Sequence, residues 1–173
     1  MKLDEAHRLR GNESLFEVPE TPTGVARQFR HEPADHRPLT MRKALAMLTE
    51  ALTFWAAQPV GTPFKPHLRS AVIQSFEFSY ELSVRLLRRV LIERSESADR
   101  VADLSFNDLL RAGAGADAGL LADATQWREW RELRNATSHA YDEARAQAVA
   151  ERVAVFAEDA AALLAALELS LEH

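Results

Sequence analysis

Cysteine is absent from this chain of 173 residues. Its absence excludes disulfides and thiolate metal sites, and it fits a reducing cytoplasm, where the chain is expected to reside. No apolar run approaches the roughly 20 residues that a membrane span requires, so no membrane partner is expected. The opening Met1-Lys2-Leu3-Asp4-Glu5 lacks the apolar stretch of a signal peptide. Glycine is sparse, six in all, and none of it forms a phosphate-cradling loop. Sustained alternation with β-branched residues is missing too, so nothing reads as a strand. Positive charge is also in short supply: 21 Lys and Arg stand against 26 Asp and Glu, a net charge of -5. Broad, sequence-independent nucleic-acid binding needs a basic surface and is disfavoured here. A small local basic site stays open.

What is present is apolar material, 47% of the chain, which is enough for a packed core in one domain with an appendage. Residues 1–37 are polar, carry Pro19, Pro22 and Pro33 with Pro38 just beyond, and show little periodicity. They read as an extended N-terminal arm. Within it, His31-Glu32-Pro33-Ala34-Asp35-His36 has the look of a metal box. The zinc-protease pattern sets two His four apart on one helix; these are five apart with a proline between, so no metal site is assigned. At the other end Leu171-Glu172-His173 look like the first residues of an expression tag and carry no functional argument.

Residues 38–170 read as helices. Leu45, Leu48, Leu52 and Trp55 recur at spacings of three and four, which predicts a first helix over about 41–58, ahead of Pro59 and Pro63. Leu68, Val72, Phe76, Tyr80, Val84, Leu87 and Leu91 predict a longer second helix over about 66–95. Ser105-Phe106-Asn107-Asp108 opens a short third helix with a start like a capping box, ending in the Gly113-Ala114-Gly115 region. A fourth, about 120–136, carries Leu121, Trp127, Trp130 and Leu133; a fifth, about 143–169, carries Val149, Val153, Phe156, Leu163 and Leu167 on one side. The expectation is an all-α, four- to five-helix up-and-down bundle. Two arginine clusters, Arg85, Arg88, Arg89 and Arg94, and Arg128, Arg131 and Arg134, read by default as solvated helix faces.

The chemistry concentrates in Arg134-Asn135-Ala136-Thr137-Ser138-His139-Ala140-Tyr141-Asp142. In an unbroken helix, Arg134 and His139 sit roughly 140° apart and about 7.5 Å along the axis, on different faces. Asn135, Thr137 and Ser138 are poor interior helix residues, so the helix is expected to end there, with Asp142 capping the next. Arg offers a planar fork of donors suited to phosphate. His moves protons near neutral pH, and Tyr carries a modifiable hydroxyl. An arginine capping a helix end and a histidine filling a turn satisfy the same spacing.

Two segments in this order resemble a known family. Ala71-Val72-Ile73-Gln74-Ser75-Phe76-Glu77-Phe78-Ser79-Tyr80-Glu81-Leu82 resembles the second helix of the nucleotidyltransferase substrate-binding proteins of the HEPN superfamily. Residues 134–142 resemble that family's signature of Arg, four residues, His, any residue, Tyr. The resemblance covers residues 41–168 and leaves out the arm. It implies a helical bundle that forms a homodimer with two signature loops facing each other, beside a minimal nucleotidyltransferase partner. In the HepT-like toxin–antitoxin branch it implies a metal-independent endoribonuclease, silenced when the nucleotidyltransferase attaches AMP to the signature tyrosine. Carried over by position, Arg134 and His139 are the catalytic pair, Arg134, Asn135 and Ser138 bind RNA or nucleotide, and Tyr141 is the modification site. No cofactor or metal is implied. Glu77 and Glu81 lie one turn apart on one face of the second helix, placed to orient His139 or Arg134, though a solvent-facing acidic stripe has the same spacing. The alternative function is a non-catalytic substrate- or nucleotide-binding subunit of a two-component nucleotidyltransferase.

Overall fold

A computed structural model describes residues 37–139 and 142–171, without the side chains of Arg37 and His139. The N-terminal arm up to residue 36, with its His31–His36 segment, lies outside the described residues, as do Tyr141, Glu172 and His173. Among the described residues there are six α-helices and no strand: α1 Arg37–Ala57, α2 Lys65–Arg94, α3 Ala98–Ala102, α4 Phe106–Ala114, α5 Ala124–Ala136 and α6 Glu143–Leu171. A 3-10 turn, Thr137–His139, follows α5. The all-α bundle expected from periodicity is the fold observed, with the five-residue α3 as an added element.

The three long helices α1, α2 and α6 make the main packing unit. Arg42 near the start of α1 donates to Glu168 near the end of α6 at 2.6 Å, so these two run antiparallel. Arg69 near the start of α2 meets Glu143 at the start of α6 at 3.4 Å, so those two run parallel. The α1–α2 turn and the α5–α6 corner therefore share one end of the bundle. Leu45 and Leu48 of α1, Val72, Phe76 and Leu87 of α2, and Val153, Phe156 and Leu167 of α6 are all buried, as their spacing demands.

Phe156 is the hub that ties α5 to this unit. Its ring meets Phe76 of α2 edge-on with centroids 4.8 Å apart, and Trp130 of α5 edge-on at 5.8 Å, geometries favoured by the ring quadrupole. Trp130 is fully buried, and its indole N–H donates to Asp159 of α6 at 2.8 Å. The Trp127 ring lies nearly parallel to Tyr80 at 6.5 Å.

Helix ends follow local chemistry. Pro66 stands in the first turn of α2, where its missing N–H costs nothing. Lys65 donates from its ammonium to the Gln58 and Trp55 carbonyls and lies 4.8 Å from the Trp55 ring centre. A cation thus closes the C-terminus of α1, where the helix dipole favours it. Ser105 caps α4, accepting from the Asp108 N–H at 3.3 Å while donating to the Asp108 carboxylate at 2.7 Å. The fourth predicted helix starts at Ala124 rather than 120, because Asp123 caps it by accepting from the Thr125 N–H at 2.6 Å. Leu120 and Leu121 precede it as a buried loop, both donating backbone N–H to the Gly113 carbonyl at 2.9 and 3.0 Å.

The arginine cluster on α2 departs from the expected solvated face. Arg88 is half-buried and donates to the carbonyls of Val101, Ala102 and Leu104 at 3.0, 2.8 and 2.9 Å. It holds the C-terminus of α3 against α2. Burial lowers its pKa, partly offset by Asp103. Arg94 donates to the Asp117 and Ala118 carbonyls at 3.2 Å. These two arginines organise loops instead of presenting charge to a ligand.

Candidate functional site

The corner between α5 and α6 takes its shape from the residues expected to break the helix. After Ala136 the chain tightens into the Thr137–His139 turn. Thr137 is buried, and its N–H reaches the Arg134 and Asn135 carbonyls. The Ser138 hydroxyl donates to the Asn135 carbonyl at 2.7 Å, satisfying a helix-end acceptor that would otherwise need water. On the far side, the Asp142 carboxylate accepts the Arg145 N–H at 3.1 Å and starts α6, the N-cap expected for it.

Helix α2 runs antiparallel alongside and supplies two carboxylates. Arg134 donates from its guanidinium to Glu81 at 2.8 Å. One turn earlier on α2, Glu77 accepts from the Thr137 hydroxyl. That hydroxyl has a single proton and a second acceptor, the Arg134 carbonyl at 2.6 Å. The two glutamates thus grip successive turns of the corner. Of the candidates, Arg134, Glu81 and Glu77 are brought together, with Thr137, which the sequence did not single out. Asn135 and Ser138 are exposed beside them. The His139 imidazole and Tyr141 lie outside the described residues.

The Arg134–Glu81 pair is open to solvent, with 40% and 48% of the two side chains accessible. Its hydrogen bond to Glu81, with Glu77 and Tyr80 adding to it, raises the Arg134 pKa above the ordinary arginine value, against a small desolvation effect. The guanidinium is permanently charged. Tyr80 lies behind it in the aromatic core, and burial pushes its phenol up to about 12 despite Arg131 and Arg134, which act the other way. Of the second arginine cluster, Arg131 lies over the Phe106 ring at 4.6 Å and Arg128 is exposed, so only Arg134 engages the α2 carboxylates. Among the described residues no three or more His, Cys, Asp or Glu side chains gather where an ion is held. No helix among them is long and apolar enough to cross a membrane.

The body that carries this corner matches a family already defined by sequence. The family model described as "Nucleotidyltransferase substrate binding protein like" matches residues 37–169. The chain belongs to this family. Among its relatives is a Haemophilus influenzae protein named probable ribonuclease HepT, 36% identical over 97 residues that make up 56% of this chain and 65% of the relative. The match thus spans just under two thirds of that relative's length. In structure the chain is similar to HI0074 of Haemophilus influenzae, whose fold is that of a substrate binding domain of a nucleotidyltransferase. The TM-score is 0.68 at 29% identity, covering 76% of this chain and 98% of HI0074. The likenesses make this chain a HepT-like member of the nucleotidyltransferase substrate-binding family, with the all-α fold of that group.

Proposed function

We propose that this HepT-like chain is an endoribonuclease that cuts RNA without a metal ion, using Arg134 and His139. The observation that carries the reading is the Arg134 guanidinium, held by Glu81 yet half-open to solvent at a bend whose 3-10 turn ends on His139. In the reaction the 2′-oxygen of RNA attacks the adjacent phosphorus, a new P–O bond forms, and the bond to the 5′-oxygen breaks. The products are a 2′,3′-cyclic phosphate and a 5′-hydroxyl. One proton leaves the 2′-hydroxyl and one reaches the departing oxygen. An imidazole with a reference pKa near 6.5 suits either transfer. The guanidinium offsets charge gathering on the phosphate oxygens. Its five N–H donors leave room for phosphate beside Glu81, and an exposed pair worth about 0–1 kcal/mol is readily opened.

A homodimer with two corners facing each other supplies one imidazole for each proton transfer. The partner is a nucleotidyltransferase, in keeping with the family, and AMP on Tyr141 blocks the cleft by charge and bulk. The test is cleavage of RNA by the purified protein in EDTA. His139→Ala is expected to lower the rate by about 10²–10⁴-fold, and cleavage unaffected by that change overturns the assignment. Co-expression with the nucleotidyltransferase is expected to add one AMP by intact mass, lost in Tyr141→Phe.

A second reading draws on the likeness to HI0074, a substrate binding domain of a nucleotidyltransferase. In it the chain is a non-catalytic subunit that presents substrate or nucleotide to the transferase. Nucleotide binding and co-purification with RNA left intact select that reading.

A further inference from the structure

Helix α2 carries a residue that the bundle does not explain. Phe78 is 52% exposed, although its neighbours Phe76 and Tyr80 are buried. Of the exposed phenylalanines, Phe54 and Phe64 belong to a groove of about 270 Å³ at the α1–α2 turn, which they line with Gln58, His67 and Leu68. Phe78 stands outside that groove. It follows Glu77, which holds Thr137, and precedes by three residues Glu81, which holds Arg134. Residues three apart on a helix have Cβ atoms about 5–6 Å from one another. Phe78 therefore stands about one helical turn from Glu81, the anchor of the Arg134 guanidinium. Gln74 and Arg85, four before and seven after, share its face of the helix and are exposed.

From this we infer that Phe78 is a base-stacking platform for single-stranded RNA at the Arg134 site, an inference that rests on the ribonuclease reading. A net charge of -5 leaves little general attraction for a polyanion, so affinity beyond the Arg134–phosphate contact has to draw on contacts that do not depend on charge. A base stacked on an aromatic face is such a contact, and it is tolerant of sequence because every base has a π-face. The spacing suits the ligand. With the phosphate at Arg134, the adjoining base reaches Phe78, while Gln74 and Arg85 flank it as hydrogen-bond donors. The site so formed prefers an unpaired nucleotide, since a base inside a duplex has no free face to offer.

The experiment uses a short single-stranded oligonucleotide with 2′-O-methyl sugars, which cannot be cleaved, and one 2-aminopurine whose fluorescence is quenched on stacking. Binding, quenching and oligomeric state by sedimentation are measured for the full chain and for Phe78→Ala, Phe78→Leu and Phe78→Tyr. Phe78→Ala and Phe78→Leu are expected to weaken binding by about 5- to 100-fold and to abolish quenching. Phe78→Tyr is expected to restore both, with the oligomeric state the same throughout. Wild-type affinity and quenching in Phe78→Leu overturn the inference. Affinity that falls only in step with loss of the oligomer also overturns it, and assigns Phe78 to the seat of a second copy. Binding that responds to Arg134→Ala but to none of the Phe78 changes removes the platform and leaves the ribonuclease reading standing. No binding by the unaltered protein removes both.

Discussion

Arg134 donates a 2.8 Å hydrogen bond to Glu81, 53 residues earlier in the chain. The bond joins the last turn of α5 to the middle of the longest helix and fixes where the guanidinium points. Because both side chains are well exposed, its value lies in aim more than in stability.

Removing the charge of Glu81 separates those two roles. Glu81→Gln is expected to change the urea-unfolding free energy by less than about 1 kcal/mol. On the ribonuclease reading, RNA cleavage is expected to fall by roughly tenfold, the equivalent of about 1.4 kcal/mol in the barrier, as a neutral amide holds the guanidinium less firmly than a carboxylate does. Equilibrium denaturation and single-turnover cleavage on the same preparation check both halves.

Asp142 starts α6 by accepting the Arg145 N–H at 3.1 Å. Asp142→Ala is expected to cost about 0.5–2 kcal/mol and Asp142→Asn much less, since asparagine caps nearly as well. Urea midpoints of the two variants give the comparison directly.

Trp130 joins packing to a hydrogen bond, with its ring against Phe156 and its N–H on Asp159. Trp130→Phe keeps an aromatic ring but leaves the carboxylate without that donor, and is expected to cost about 1.5–3 kcal/mol. Trp130→Ala also opens a cavity and is expected to cost about 3–5 kcal/mol. Chemical denaturation followed by circular dichroism measures both.

Stability at high pH depends on Tyr80. Its ordinary pKa of 10.0 is pushed up to about 12 by burial, so the folded chain holds this proton more tightly than the unfolded chain. The contribution is complete below pH 10 and is lost as pH rises through 12. Between those values the urea midpoint of the parent protein is expected to fall more steeply than that of Tyr80→Phe. A 295 nm titration in a Tyr141→Phe background reads the Tyr80 phenol by itself.

How much of this was legible in the sequence depends on the range over which each residue acts. The stripe of Val72, Phe76 and Leu87 announces α2 because core contacts repeat with the helical period. The cap at Asp142 was legible for the same reason: its partner, Arg145, is three residues away. Glu77 and Glu81 were readable as one face of one helix. Of their partners across the bundle, Arg134 was named as one only beside the family likeness and Thr137 was not named as one at all. Arg88 looked solvated because its acceptors are backbone carbonyls 13 to 16 residues on, and side-chain pattern carries no trace of those. The helix Ala98–Ala102 has no buried residue, so no periodic signal marks it.

The corner is tethered on both flanks: Glu81 and Glu77 hold Arg134 and Thr137 before it, and Arg69 meets Glu143 after it. Arg134, Thr137 and Glu143 are thus all fastened to the same stiff rod. Helices α5 and α6 are therefore registered against the same rod, and neither flank can slide along it without breaking its own polar contact. A load on either helix is shared through α2 with the other, as two shelves bracketed to one post share their weight.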